Sequence, residues 1–142
     1  MARKQKYTLS IEEDYSFDLF GICCHQNDYR LCWAINETLD LKLAKCDEPY
    51  KINGKKVGMT SKHSCYEWFD EENHLHYFLL KNKDGVNYLL PEKAQVDYFL
   101  VVKEAEMIEI DDFLTRLKGI SSILTAFNYN PNELKSRQNL IF

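Results

Sequence analysis

Glycine and proline are scarce in this chain, five and three among 142 residues. That excludes collagen-like and low-complexity classes and leaves few places for sharp turns. No apolar run approaches the ~20 residues that span a bilayer; the longest, around Tyr98 to Val102, is strand-sized. The start carries no apolar stretch of secretory-signal type. Positive charge is not in excess either: 18 Lys and Arg stand against 22 Asp and Glu, for a net charge of −4. A mildly acidic domain is a poor non-specific binder of polyanions, because phosphate neutralisation drives that binding. The one basic cluster, Arg3, Lys4 and Lys6, reads as a frayed, solvated start, with residues 1–6 disordered. Also missing are GxGxxG, GxxxxGK[ST], GxSxG, HExxH and CxxC. With them go the readily recognised nucleotide, hydrolase, metalloprotease and dithiol chemistries.

What is there in quantity is aromatic: nine Tyr, eight Phe and two Trp, a content that favours strands. The length fits one domain, residues 1–142. A domain of this size buries about 68% of the surface its unfolded chain exposes, enough for a core without metals or disulfides. The cysteines are Cys23, Cys24, Cys32, Cys46 and Cys65. An odd number without a secretory signal points to free thiols in a reducing, cytoplasmic compartment, most of them packed as small hydrophobes.

Along the chain, Ser16 to Cys24 is apolar on both faces, which suits a central strand. Asn27 or Asp28 offers an N-cap, and Leu31, Ile35 and Leu39 recur every fourth residue, predicting a helix from Asp28 to Leu39. Leu41 and Leu43 flank Lys42 as in a short strand, and Asn53-Gly54 is a hairpin-turn signal. The flanks of that signal are short, so residues 41–59 read as a flexible loop. Strands follow at Cys65 to Asp70, His74 to Lys81, Val86 to Leu90 and Val96 to Lys103, an antiparallel meander with turns at Glu71-Glu72-Asn73 and Asp84-Gly85. Ile110, Phe113, Leu114 and Leu117 set a second helix, with Gly119 as its stop. Ile123 to Tyr129 alternates as a last strand, and residues 130–142 read as a tail docking on the domain. The skeleton is βαββαβ with an expanded middle meander. It predicts an α+β fold, an antiparallel sheet with two helices on one face, ferredoxin-like or ACT-like in topology.

Chemistry is thin. His74 and His76, two apart on an expected strand, share a face as a minimal metal pair, but no spacing supplies the third ligand zinc requires. Cys23, Cys24 and His25 end the first strand near a helix start, where a thiolate is favoured. Neighbouring strand residues point to opposite faces, however, which separates Cys24 from His25. Glu104, Glu106, Glu109, Asp111 and Asp112 crowd a helix N-terminus, where negative charge is stabilising in any case. No catalytic, cofactor-binding or metal residue is assigned.

The segment Leu90-Pro91-Glu92-Lys93-Ala94-Gln95-Val96-Asp97-Tyr98 is different. Pro91 is suited to open a turn, and Glu92 or Asp97 could bond backbone N–H groups across it. Asp97 is otherwise odd at the entrance to the strongest strand. Pro91, Glu92, Val96, Asp97 and Tyr98 are therefore either a turn-locking device or a contact for a ligand or partner. The spaced pattern LPExxxVDY resembles the IPExxxVDY family, a bacterial group best known from Bacteroidetes, with Leu90 in place of the first Ile. The runs DYRL at Asp28 to Leu31, ILTAF at Ile123 to Phe127 and the ending Asn139-Leu140-Ile141-Phe142 are similar too. The resemblance spans nearly the whole chain and implies kinship without an activity.

Functionally, the sequence points to a non-enzymatic module that binds a protein or small ligand, as a homodimer, through an aromatic sheet face that two helices leave open. The alternative is a small enzyme using Glu92 and Asp97, with Tyr98 or a histidine nearby. RNA recognition on such a sheet needs a basic face, and the acidic balance argues against it. No cofactor and no membrane partner is implied.

Overall fold

The computed structural model describes residues 16–53, 60–85, 87–103 and 108–142. Arg3, Lys4, Lys6, Val86, Glu104, Glu106 and the Gly54 side of the expected hairpin turn lie outside the described residues. The elements run β1 (Asp18–Cys24), α1 (Asp28–Leu39), β2 (Ala44–Lys45), β3 (Tyr50–Asn53), β4 (Thr60–His63), β5 (Cys65–Asp70), β6 (Leu75–Lys81), β7 (Lys83–Asp84), β8 (Asn87–Tyr88), β9 (Tyr98–Lys103), α2 (Ile110–Lys118) and β10 (Ile123–Tyr129). Short 3-10 turns stand at Pro91–Lys93, Pro131–Glu133 and Arg137–Asn139.

The fold is α+β. Six strands form one sheet in the order β10-β1-β9-β6-β5-β2, and every neighbouring pair is antiparallel. Strands β1, β6, β9 and β10, with the two helices, make the βαββαβ skeleton; β5 and β2 widen it on the β6 side. Strands β3 and β4 pair separately, as do β7 and β8.

Both helices lie on the same face. Asn27 caps α1 by accepting from the Arg30 N–H at 3.2 Å, and the helix ends at Asp40 in the left-handed region, φ 57°. Leu31, Ile35 and Leu39 of α1 and Phe113 and Leu117 of α2 bury against Phe20, Ile22, Leu79, Leu100 and Val102 of the sheet. Each such side chain contributes about 1.5–3 kcal/mol of apolar burial.

The opposite face is not open, which corrects the sequence expectation. Leu19, Leu80, Phe99 and Val101 on that side are covered by Leu89, Leu90 and Val96, by Tyr50 and Ile52 of β3, and by Leu134, Leu140 and Phe142 near the end of the chain. The Phe142 ring packs on Phe17, Tyr50 and Phe78 at centroid distances of 5.7, 5.3 and 4.7 Å. Exposed apolar side chains remain at the rims of this face, Phe69 on β5 and Phe127 on β10, and on α1 at Tyr29 and Trp33.

Other local expectations also change. Leu41 and Leu43 form no strand, because the Asn36 amide bonds both the N–H and the C=O of Leu43, each at 3.0 Å, and leaves them nothing to offer a neighbour. Residues 50–53 and 60–63 form a paired hairpin rather than loop. Of the described residues 87–90 of the expected third strand, only Asn87 and Tyr88 pair, outside the main sheet. His74 sits in the turn before β6 with φ 56°, so it does not share a strand face with His76. No helix among the described residues is long and apolar enough to cross a membrane.

Candidate functional site

Residues 90–98 form a closed joint between β8 and β9, built around a residue that sequence reasoning passed over. Asn82 is fully buried. Its side-chain N–H groups donate to the Lys93 and Val96 carbonyls at 2.9 and 2.8 Å, and its Oδ1 accepts from the Leu90 N–H at 2.9 Å. Its backbone N–H donates to the Asp97 carbonyl, and its carbonyl accepts from the Leu89 N–H. One amide thus supplies partners for backbone groups that burial would otherwise leave unpaired. The only sequence signal was an Asn two residues before the Asp84-Gly85 turn, which reads as ordinary turn chemistry.

Pro91 opens the 3-10 turn, as its fixed φ allows. The Glu92 carboxylate accepts from the Ser136 N–H at 2.8 Å and so ties the tail to the joint. Burial works to raise the Glu92 carboxyl, but the N–H groups around it, Ser136 first, outweigh burial and hold it below its ordinary value. Lys93 lies over the Tyr129 ring, 4.7 Å from its centroid. Val96 is buried. The Asp97 carboxylate accepts from the Cys24 N–H at 2.8 Å, and the Asp97 N–H donates to Ile22 at 3.0 Å. The buried Tyr98 hydroxyl donates to the Gln26 carbonyl at 2.7 Å, and burial first, then Asp28, pushes that phenol upward.

All five motif residues lie in this joint; of the distant runs, the ending reaches it through Asn139 and Asp28 lies near Tyr98, while Ile123 to Phe127 pairs with β1. Asn139 of the ending donates to the Leu89 carbonyl at 2.9 Å. The Asp28 carboxylate at the start of α1 accepts from the Ser64 hydroxyl and lies close enough to raise Tyr66 to about 12, after burial itself.

The joint forms one wall of a cleft of about 550 Å³. His25 and Gln26 before α1, Lys81 at the end of β6, Lys83 of β7, Tyr88, and Asp97 with Tyr98 line it. Neither Lys81 nor Lys83 is in an ion pair with another described residue. Lys83 lies 5.9 Å from the Tyr88 ring centroid.

The remaining sequence candidates are not brought together. Cys23 faces the tail-covered side, with its thiol against the Gln95 carbonyl at 3.5 Å, while Cys24 faces the helices. Burial, then Asp97, pushes the Cys23 thiol up, the opposite of nucleophile activation. His76 accepts or donates to Glu67 at 3.1 Å, and no group of three or more His, Cys, Asp or Glu among the described residues is arranged to hold a metal. Glu109, Asp111 and Asp112 stand at the start of α2. Comparison with family models, with curated proteins and with solved structures finds no match.

Proposed function

We propose that the chain is a non-enzymatic module whose cleft beside residues 90–98 binds a small anionic ligand. The observation that carries this reading is the charge lining the cleft, Lys81, Lys83 and His25 against the single carboxylate of Asp97, with Glu92 outside it. Glu92 and Asp97, the carboxylates on which an enzymatic reading would rest, have accepted backbone N–H groups of Ser136 and Cys24. Lys81, Lys83 and His25 are left to meet a ligand. The volume falls within the roughly 300–1,000 Å³ of small-molecule sites, and Tyr88 supplies an apolar surface beside the cations. A reducing, cytoplasmic setting and kinship with IPExxxVDY proteins belong to the same proposal, motivated by the five free thiols and by the bond from Asn139 of the shared ending to Leu89 beside the joint.

The test is titration of the ¹⁵N-labelled protein with citrate, pyrophosphate and adenosine monophosphate. At least one should shift the amides of residues 24–27, 81–83 and 97–98 in a saturable way. Lys83→Glu should weaken that ligand roughly tenfold, since about 1.4 kcal/mol is tenfold and a charge reversed at contact distance is worth at least that. No saturable shift at millimolar probe, or binding unchanged in both Lys81→Glu and Lys83→Glu, refutes the reading.

A further inference from the structure

The two edges of the six-stranded sheet differ. One ends on β2, two residues long, with Lys45 inside it and Lys42 and Asp47 close by. Short length and charge are how edges are kept from pairing. The other ends on β10, seven residues long, and no charged residue occurs from Ile120 to Asn132. Leu124 and Phe127 on this strand are 64% and 40% exposed.

The direction of the free backbone groups follows from the register. The Ile22 carbonyl accepts from the Asp97 N–H, so Phe20 and Ile22 turn their backbone groups towards β9. Leu19, Gly21 and Cys23 then turn theirs towards Tyr129, Phe127 and Thr125. Ala126 and Asn128 are left with N–H and C=O directed outward, and no strand among the described residues pairs with them. The irregularity beside Cys23 and Cys24 falls at Leu124 and leaves Thr125 to Tyr129 regular.

We propose that β10 pairs with β10 of a second copy of this chain, antiparallel about a two-fold axis through Phe127, so that the sheet continues across a homodimer. In that register Ala126 and Asn128 exchange N–H···O bonds with Asn128 and Ala126 of the second copy. Phe127 meets its own copy at the close, non-hydrogen-bonded position, and Thr125 faces Tyr129. A second copy is the occupant that the charges favour. Each chain carries a net charge of −4, and the uncharged strip is where two copies approach with least repulsion. An isologous contact also closes on itself and leaves no further edge of this kind exposed.

Sedimentation equilibrium of the full chain tests the proposal. The wild type should show the mass of two chains at micromolar concentration. Phe127→Lys sets like charges face to face and should raise the dimer dissociation constant roughly tenfold or more, with the circular dichroism and urea midpoint of the monomer unchanged. Phe127→Cys places a thiol on the axis and should give a covalent dimer under mild oxidation that the wild type does not give. A monomeric wild type overturns the proposal, including the case in which its Ala126 and Asn128 amides are protected from exchange by another part of the same chain. So does a dimer that Phe127→Lys leaves intact, or a Phe127→Cys chain that does not cross-link.

Discussion

The two faces of the central sheet are buried by different means. On the helix side, α1 and α2 lay regular apolar stripes on Phe20, Ile22, Leu100 and Val102. On the other side no α-helix among the described residues contributes. The cover is a short hairpin, the joint of residues 90–98 and the tail, and their backbones are held by side-chain bonds from Asn82, Glu92, Asn139 and the Tyr50 hydroxyl, which contacts Asn139 and Ile141. Irregular chain has no ladder of its own to satisfy buried N–H and C=O groups, so polar side chains must do it. The first face should therefore answer to loss of apolar volume, and the second to loss of single hydrogen-bonding groups.

The largest effect separates these directly. Asn82→Ala removes almost no apolar surface but strips partners from the Leu90 N–H and from the Lys93 and Val96 carbonyls. At about 1–3 kcal/mol for each buried group left unpaired, with some relief from entering water, it should cost about 4 kcal/mol in urea denaturation. Leu117→Ala, at a fully buried position of α2, should cost about 3 kcal/mol through its cavity. Proteolysis should also distinguish them, because Asn82→Ala loosens the Leu89 carbonyl that anchors Asn139 and with it the tail. A loss below about 1 kcal/mol for Asn82→Ala would remove the distinction between the faces.

The same distinction governs what the sequence revealed. Helix α1 and strand β10 were legible to the residue, because caps and apolar period are local signals. The hairpin partner Thr60–His63 was not, since its inward residues are Ser61 and His63 and show no apolar alternation. Val86 to Leu90 read as a sheet strand because Tyr88, Leu89 and Leu90 are apolar or aromatic. Asn82, eight residues before Leu90, takes the backbone N–H groups of Leu89 and Leu90 instead. The motif residues fall within one joint of the fold, while the amide that organises that joint carried no periodic or spacing signal. Long-range polar contacts leave no such trace in one sequence.

A smaller effect probes packing where the joint touches the sheet. A Cβ on Gly21 would lie 2.5 Å from Tyr129 Cε2 and 3.2 Å from Val96 Cγ1. Gly21→Ala should cost about 2 kcal/mol, the range of an overpacked core. Tyr129→Leu in the same chain should recover part of that loss, giving a coupling of opposite sign to the single effects in a double-mutant cycle. Strict additivity would mean that the ring is not what fills the space.

The smallest effect is a pH dependence confined to the hairpin that covers the second face. His63 is fully buried, with one ring nitrogen 2.9 Å from the Lys81 carbonyl and the other 2.8 Å from the Ser61 hydroxyl. Burial lowers its pKa, and the Lys81 carbonyl and Asp84 only partly oppose this. The neutral ring is therefore the folded form, with N–H given to Lys81 and the lone pair taken by Ser61. Unfolded, the same histidine titrates near 6.5. Between the two values the unfolded chain holds the extra proton, so stability rises with pH there. It should be complete above about pH 6.5 and decline below it by up to about 1.4 kcal/mol per unit, until the folded ring itself protonates. Urea midpoints measured from about pH 5 to about pH 8 should show this limb in the wild type and lose it in His63→Gln, which keeps a polar group but does not titrate. Parallel curves for the two proteins, or a wild type that gains stability towards acid, would show that His63 is not held neutral and that the hairpin is pinned by something other than its ring.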